Sequence, residues 1–326
     1  MIAKTERELN KLTRRILLAA GADEVNAGLV ADHLVEANMS GDDSHGVWHV
    51  PLYVEAIGDG FLVPCAKPEV IGETDYQIVV GGNWTFGHVA AAFAMEKAIA
   101  KARSQGMAVV GLVQSHHIGR VAHYAEMAAS AGMIAIVVDG SYGEVYPAAD
   151  RGVRDEREAK PIALGYPAGE DGRQMFDFAS AALADVGGLD KPAGVDTEPR
   201  VASLLGGHKG FALMMAIEYF GRLLQDGDSL SFGDGEQAGR GVGMIVLRAD
   251  LFHDHDPQAD REKRRREGTA AGFERNRLGV DIDRVVTAER GGGAVRIRRQ
   301  VEGVPVAEEI WRSLEEVADA LGVKGV

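Results

Sequence analysis

The chain has 326 residues, of which 46% are hydrophobic, and its formal net charge is −14 at pH 7. This composition predicts a globular protein and argues against sequence-independent binding of nucleic acid, which requires clustered Lys and Arg to neutralise phosphates. The single cysteine, Cys65, excludes an intrachain disulfide and a cysteine-rich metal site. The first residues lack the apolar core of a signal peptide, and no apolar run reaches the ~20 residues that cross a bilayer, so we expect a cytoplasmic protein without a membrane partner.

The amino-terminal region predicts a helical hairpin followed by a third helix. Apolar positions recur at three- and four-residue spacing over residues 5–20 and 24–40, and Gly21-Ala-Asp23 separates the two helices. A polar break then places Ser44-His45-Gly46 on a turn. The third helix is predicted over residues 48–57.

From about residue 76, short apolar runs alternate with helical segments, which is typical of an α/β protein with a central sheet. Predicted strands cover residues 77–80, 107–113, 133–138 and 243–247, and predicted helices cover residues 87–104, 119–131, 178–187, 209–225 and 306–320. Residues 140–176 are interpreted as mainly loop and residues 253–275 as a charged surface segment. We expect a mainly helical part, 1–72 with 286–326, and a central sheet part, 73–285.

Two adjacent histidines stand where a predicted strand ends. The segment Ser115-His116-His117-Ile118-Gly119 lies between the strand 107–113 and the helix that follows, which is where α/β proteins bind ligands. The positive end of the helix dipole favours a neutral imidazole that exchanges a proton near pH 7. One of the two histidines is therefore a candidate acid or base, although histidines that merely cap a surface turn fit the pattern equally well.

A further histidine lies on a polar turn, in the segment Asp42-Asp43-Ser44-His45-Gly46. The hydroxyl of Ser44 stands beside the imidazole of His45, which makes this turn a second candidate for proton transfer. The alternative is a loop that ends the helix and whose Asp and Ser side chains hydrogen bond to the backbone. The residue pattern alone favours this alternative.

A glycine-rich turn, Gly206-Gly207-His208-Lys209-Gly210, precedes a predicted apolar helix. The N–H groups at the start of a helix bind anions, glycine lets a phosphate approach the backbone, and Lys209 adds a positive charge. The turn is therefore chemically suited to pyrophosphate. Glycine before a helix is also an ordinary turn, and taken alone this second interpretation is the better one.

The glycine-rich fingerprint of a Rossmann domain is missing. Gly233-Asp-Gly235 and Gly239-Arg-Gly241-Val-Gly243 have a similar spacing, but neither lies between a strand and a helix, so both are interpreted as loops. His253 and His255 offer two metal ligands without an evident third, so no metal site is predicted. The Gly-x-Ser-x-Gly motif of serine hydrolases is also missing.

Six segments and one tyrosine occur in a characteristic order. They are Ala31-Asp-His-Leu-Val-Glu-Ala-Asn-Met39, Asp43-Ser-His-Gly-Val47, Tyr53, Ser115-His-His-Ile-Gly119, Asp177-Phe-Ala-Ser180, His208-Lys-Gly-Phe-Ala-Leu213 and Glu302-Gly-Val-Pro305. In this order they resemble the malate/L-lactate/ureidoglycolate dehydrogenase family, especially its hydroxycarboxylate dehydrogenase B branch. The resemblance extends over nearly the whole chain. It implies a non-Rossmann α/β fold with a central mixed sheet flanked by helices and a mainly helical domain from both termini.

The resemblance also implies a role for individual residues. Nicotinamide supplies the hydride, so the protein has to transfer the hydroxyl proton, orient the carboxylate and hold the dinucleotide. His45 and His117, with Ser44, match catalytic positions, and one of the two histidines is expected to be the proton donor in reduction. The substrate set is His49, Tyr53 and Lys160, and the cofactor set is His116, Ile118, Gly119, Asp177, Phe178, Ala179, Ser180, His208, Lys209 and Gly210, with Gly291, Gly292 and Gly293 as a loosely matched further loop.

The sequence departs from the family pattern at some of these positions. The family usually has an arginine, suited to a substrate carboxylate, where this chain has His49. A histidine binds a carboxylate well only when it is protonated. Glu158-Ala-Lys160-Pro161 stands where many relatives have Gly-Thr-Asn-Pro, and Lys160 is a candidate ligand for a carboxylate or a phosphate. The segments 188–205 and 265–295 look shorter than the family pattern.

The function implied by the resemblance is hydride transfer between NAD(H) or NADP(H) and a small malate- or lactate-like acid, in a homodimer. The helical part, 1–72 with 286–326, is expected to bind substrate and form the dimer, and the central part, 73–285, to bind the cofactor. The family also reduces cyclic imino acids, and His49 leaves that alternative open. A second alternative is a degenerate relative that binds a ligand without transferring hydride, which the departures at His49, Lys160 and 291–293 motivate.

Overall fold

The computed structural model describes residues 1–141, 161–167, 174–179, 216–217, 220, 240–251 and 288–324. The described helices are α1 (Glu6–Ala19), α2 (Glu24–Met39), α3 (Val50–Gly58), α4 (Gly87–Gln105), α5 (Val121–Ser130), α6 (Ala288–Glu302) and α7 (Glu308–Ala320). The described strands are β1 (Ile2–Lys4), β2 (Glu69–Glu73), β3 (Gln77–Gly81), β4 (Met107–Ser115), β5 (Met133–Ser141), β6 (Pro161–Tyr166), β7 (Gln174–Ala179), β8 (Arg240–Arg248) and β9 (Val304–Val306). Two short 3₁₀ helices, Asp43–His45 and Val47–His49, connect α2 to α3.

Side-chain caps fix the start of the amino-terminal helical hairpin. Thr5 and Glu8 form a capping box at the start of α1, and the Asp23 carboxylate accepts from two backbone N–H groups at the start of α2. These caps satisfy N–H groups that the first turn of a helix leaves without partners. The hairpin predicted from the sequence is therefore confirmed. The third helix begins at Val50, two residues later than predicted, with Pro51 in its first turn.

A seven-stranded sheet forms the centre of the protein, in the order β2-β3-β4-β8-β5-β6-β7. β3 and β4 are parallel and are joined by α4, whereas the other neighbouring pairs are antiparallel. α4 packs on β4, and α5 packs on β5 and β6. The α/β class with a mixed sheet flanked by helices is thus confirmed. The turn between β4 and α5 carries His116 and His117 at the end of a central strand.

Two hydrophobic clusters make up the core of the described residues. One lies between the sheet and α4 and α5, and includes Val110 and Met244. The other joins the terminal helices and includes Leu34 and Trp311, while β1 pairs with β9 and so links the two ends of the chain. The clusters support the proposed division into a terminal part and a central part. Because β2 pairs with β3, we move the proposed boundary from residue 72 to residue 68.

Three predictions of secondary structure after residue 140 were wrong. Residues 140–176, interpreted as mainly loop, contain β6 and the first half of β7, which pair with each other. Residues 178 and 179, predicted as the start of a helix, end β7. Residues 240–242, interpreted as part of a loop, begin β8, which lies between β4 and β5 and contains the predicted strand 243–247. β8 pairs with β4 and β5, which lie far earlier in the chain, so the local pattern does not reveal these partners.

Several predictions concern residues outside the described ranges. They include most of the helix 209–225, of which residues 216, 217 and 220 are helical, and the charged segment 253–275. The predicted ligands Lys160, Ser180, His208, Lys209 and Gly210 lie outside these ranges as well. They stay predictions from the sequence.

Candidate active site

The turn after α2 holds a hydrogen-bonded group of Asp42, Ser44 and His45. The Asp42 carboxylate accepts from Nδ1 of His45, with both oxygens at 3.0 Å, and from the Ser44 hydroxyl at 2.7 Å. Burial raises the pKa of Asp42, but the hydrogen bond and charge of His45, the Ser44 hydrogen bond and the charge of Arg120 together lower it to about 2. Asp42 is therefore ionised at neutral pH, and it orients His45 so that Nε2 faces away from the carboxylate.

His117 forms a hydrogen bond with Tyr53. The Tyr53 hydroxyl lies 2.9 Å from Nδ1 of His117, and the two residues are only 1% and 9% exposed. Tyr53 belongs to the terminal cluster through α3, whereas His117 follows β4 of the central sheet. The hydrogen bond thus connects the two parts of the fold, and it satisfies two polar atoms that would be costly to bury alone.

The rings of His45, His49 and His117 lie side by side. The ring centroids of His45 and His117 are 5.7 Å apart, with planes 10° from parallel. The centroids of His49 and His117 are 4.5 Å apart. The structure therefore brings together both predicted catalytic histidines, which are far apart in the sequence. Their catalytic role stays a prediction.

Arg299 of α6 anchors this group from the other end of the chain. Its Nη1 and Nη2 donate to the Asp43 carboxylate at 2.6 and 2.8 Å, and Nη1 also donates to the carbonyl of Asn38. The side chain of Asn38 in turn donates to Asp43 at 2.7 Å. A Cβ at Gly46 would lie 2.4 Å from the Asn38 side chain, so only glycine allows the turn to approach α2 this closely.

The structure limits what His49 can do for a substrate carboxylate, the role expected from the sequence. Nε2 of His49 lies 3.0 Å from the carbonyl oxygen of Ser44. Because a carbonyl oxygen only accepts, this nitrogen donates its hydrogen to the protein itself. Arg120 offers another positive charge beside the group, since its Nε lies 3.8 Å from an oxygen of Asp42 and its side chain is 14% exposed.

Three residues of the predicted cofactor set lie in the turn between β4 and α5. His116 is buried, and its Nε2 donates to the carbonyl of Phe61 at 2.8 Å. Ile118 is buried as well. Gly119 has a φ of 72°, and a Cβ at this position would lie 2.6 Å from two buried histidine rings. The side chains of His116 and Ile118 are buried, which leaves the backbone as the part of these two residues that a ligand could contact.

The remaining described members of the cofactor set lie in two places. Asp177, Phe178 and Ala179 belong to β7, at the edge of the sheet. Gly291, Gly292 and Gly293 were expected to form a loop, and that expectation was wrong because they belong to α6. Glycine is a poor helix former, so we attribute the helix to its later residues, which pack against α2.

A second group of histidines lies behind His117. The ring of His88, on α4, is 5.9 Å from that of His117 and 4.6 Å from that of His33 on α2. His33 in turn lies 4.4 Å from His123 on α5. Burial lowers the pKa of His33 and of His88 well below the ordinary value for histidine. Both rings are therefore neutral at neutral pH.

The sequence interpretation missed the partners of the two candidate histidines. Asp42 was noted only as part of a polar turn, and its place three residues before His45 is the single local signal, because such residues share one side of a helical turn. Arg299 gives no local signal, since it is 256 residues from Asp43. Nothing in the local pattern singles out His88.

The described residues contain neither a metal-binding cluster nor a helix that could span a membrane. In this part of the chain no group of three or more His, Cys, Asp or Glu side chains is arranged to hold a metal ion. The helices in the same ranges include none that is both long and apolar enough to span a membrane.

The fold and the paired histidines define an α/β protein with a mixed sheet and a candidate acid–base site. Residues 5–188, more than half of the chain, match the sequence profile of the malate/L-lactate dehydrogenase family. The chain belongs to this family, as the resemblance of its motifs predicted. Membership places it among the oxidoreductases of hydroxy acids.

Individual relatives agree with this assignment. The chain is 28% identical to hydroxycarboxylate dehydrogenase B of Escherichia coli O157:H7, with 97% of this chain and 93% of that protein covered. It is 32% identical to the Δ1-pyrroline-2-carboxylate/Δ1-piperideine-2-carboxylate reductase of Pseudomonas putida, with 68% and 70% covered. The solved structure of malate dehydrogenase from Pyrococcus horikoshii superposes with a TM-score of 0.78 at 25% identity, covering 100% of this chain and 97% of that one.

Proposed function

We propose that the protein transfers a hydride between NAD(H) or NADP(H) and a small 2-hydroxy or 2-oxo carboxylic acid. The observation that carries this proposal is the Asp42–His45 hydrogen bond beside the Tyr53–His117 hydrogen bond. Membership in the malate/L-lactate dehydrogenase family supports it. A homodimer and a cytoplasmic location, expected from the sequence, are further parts of the proposal.

We assign to His45 the transfer of the proton between the protein and the substrate oxygen. When a 2-oxo acid is reduced, its carbonyl carbon takes the hydride and its oxygen takes a proton. The ionised Asp42 binds Nδ1 of His45, holds the ring in one orientation and stabilises its charged form, so Nε2 is the nitrogen that exchanges the proton. Oxidation returns the proton to the same atom. His117, which Tyr53 holds beside His45, is the second donor for the substrate oxygen.

The described side chains fit a nicotinamide cofactor through their chemistry. They provide proton donors and acceptors but no group that stores a hydride, and nicotinamide supplies that capacity when it is bound. The backbone of the turn 116–119 and the edge strand β7 are the described segments proposed to hold it. Ser180 and residues 208–210 complete the proposed cofactor set from the sequence. Arg120 is the candidate that orients the substrate carboxylate, because Nε2 of His49 already donates to the carbonyl of Ser44.

Reduction of a cyclic imino acid is a second candidate function. The relative from Pseudomonas putida is named as such a reductase. An imino acid differs from a 2-oxo acid in the atom that takes the proton, a ring nitrogen in place of an oxygen, so the same pair of histidines serves both reactions. The shape of the substrate pocket would then decide whether the protein prefers a cyclic imino acid or a 2-oxo acid.

The first experiment is a binding titration with NADH and NADPH by tryptophan fluorescence, followed by a spectrophotometric panel of pyruvate, oxaloacetate and Δ1-piperideine-2-carboxylate. We expect turnover that His45→Ala lowers about 10²- to 10⁴-fold. Lys11→Ala, on the surface of α1, is the control and should turn over like the wild type. Cofactor binding without turnover of any acid would favour a degenerate relative, and no binding of either nucleotide would contradict the proposal.

A further inference from the structure

His88 is a fully buried polar side chain, and packing alone does not explain why a histidine occupies this position. Its exposed fraction is 0%, and neither Nδ1 nor Nε2 has a hydrogen-bond partner among the described residues. Burying an unpaired polar group costs free energy that a phenylalanine of similar shape would not cost. Such groups in folded proteins call for a functional or structural explanation.

The start of α4 lies directly against the turn that carries His117. A Cβ at Gly87 would lie 2.3 Å from the carbonyl oxygen of His117, and a Cβ at Gly119 would lie 2.6 Å from Nε2 of His88. Gly87 thus allows the backbones of α4 and the turn to touch, and Gly119 allows the turn to approach the ring of His88. His88 contacts the turn in two ways, because its Nε2 edge faces Gly119 and its ring stands at 86° to the ring of His117.

His88 also contacts Tyr53, the hydrogen-bond partner of His117. The centroids of the Tyr53 and His88 rings are 5.7 Å apart, with planes at 73°. On the other side, His33 packs on His88, and Nε2 of His33 accepts from the backbone N–H of Arg120 at 3.0 Å. His88 therefore lies between a fixed neutral histidine and both members of the Tyr53–His117 pair.

We propose that His88 is a positioning residue for the acid–base site: its imidazole holds His117 against Tyr53, and its dipole sets the pH at which His117 takes up a proton. This inference rests on the proposed function and deepens it. A neutral imidazole has a dipole that a phenyl ring lacks, and in a buried site that dipole is weakly screened. Burial keeps His88 neutral, since it lowers the pKa of this ring well below the ordinary value.

The titratable groups around His88 come from several elements. His33 on α2, Tyr53 on α3 and His117 after β4 pack against its ring. The charges of His49, His123 and His45 also act on it. A measurement on His117 therefore has to be compared between variants that leave all of these residues in place.

The test is an NMR titration of the His117 ring in the wild-type chain and in His88→Phe, with His117→Asn used for assignment. Phenylalanine keeps a ring at this position but removes both nitrogens. We expect the midpoint of the His117 titration to move by about half a pH unit, the effect of an imidazole-sized dipole at this distance in a weakly polar interior. With substrate, kcat should fall about tenfold while KM stays nearly constant. An unchanged midpoint overturns the proposal.

Thr13→Val is the matched control. Oγ1 of Thr13 is also buried and has no hydrogen-bond partner among the described residues, but it lies on α1 with the terminal cluster. This variant should leave the His117 midpoint and kcat unchanged. If His88→Phe does not fold, His88→Met, which also removes both ring nitrogens, is measured by the same criterion. A wild-type chain without turnover would contradict the proposed function, whereas the titration would still decide the role of His88.

Discussion

Arg299 and Asp43 form an ion pair with two hydrogen bonds, 2.6 Å and 2.8 Å long, between residues that are 256 positions apart. The Arg299 side chain is only 9% exposed. A planar guanidinium that binds both oxygens of a carboxylate fixes the orientation of that carboxylate as well as its position. Helix α6, in the carboxyl-terminal part of the chain, therefore fixes the turn on which Ser44 and His45 lie.

Replacement of Arg299 by lysine should reduce activity more than stability. Lysine keeps the charge but cannot bind both oxygens of Asp43 in one plane, so the turn loses its fixed orientation. We expect kcat to fall about 100-fold, the effect of displacing a reacting group by about 1 Å. Steady-state kinetics and urea unfolding measure the two effects. Arg14→Lys, in an exposed pair with Glu24, is the control. A wild-type kcat in the Arg299 variant would show that the turn keeps its orientation without Arg299.

Replacement of Asp42 by asparagine should lower kcat about 10²- to 10⁴-fold. Asparagine has nearly the same shape but no charge, so it neither stabilises the charged ring of His45 nor holds its proton on Nδ1. Because the pKa of Asp42 is about 2, the wild-type carboxylate is ionised at every pH above about 4, and its titration contributes no acidic limb to the pH profile there. Asp32→Asn, on the helix α2 that precedes the turn and hydrogen bonded to Asn10, should behave like the wild type. Equal kcat values for both variants would remove Asp42 from the mechanism.

Replacement of Tyr53 by phenylalanine should reduce both stability and activity. The change leaves Nδ1 of the buried His117 without the hydroxyl that pairs with it, which costs about 1–3 kcal/mol of the free energy of unfolding. We expect kcat/KM to fall about tenfold, because His117 loses its fixed orientation. Tyr76→Phe, at an exposed tyrosine, is the control for urea unfolding and kinetics. A Tyr53 variant as stable and active as this control would show that the hydrogen bond has no role.

Acid should destabilise the fold through His33 and His88. Burial lowers the pKa of each ring well below 6.5, so below pH 6.5 the unfolded chain binds protons that the folded chain does not. The free energy of unfolding then falls by about 1.4 kcal/mol per pH unit for each histidine, until the pKa in the folded state is reached. Above pH 6.5 these residues contribute no pH dependence. Urea unfolding at pH 5, 6 and 7 measures how steeply the free energy of unfolding changes with pH. His88→Phe should reduce this slope by the contribution of one histidine. An equal slope in both proteins would show that His88 takes up a proton in the folded state.

Local patterns determined the parts of the fold that depend on neighbouring residues. The helical hairpin follows from its apolar spacing and from the caps at Thr5 and Asp23. The strand that ends before His116 follows from its apolar run. The sequence alone also named His45, His117 and Tyr53, because they stand in motifs that resemble the malate/L-lactate dehydrogenase family.

Only the tertiary structure decided how these residues act on one another. β8 depends on pairing with β4 and β5, which lie far earlier in the chain, and a local pattern cannot show this pairing. The Tyr53–His117 hydrogen bond, the packing of His88 and the Arg299–Asp43 ion pair join residues that are distant in sequence. Contacts of this kind follow from the packing of helices and sheet around a common core, so the sequence names the chemical groups whereas the fold determines their geometry.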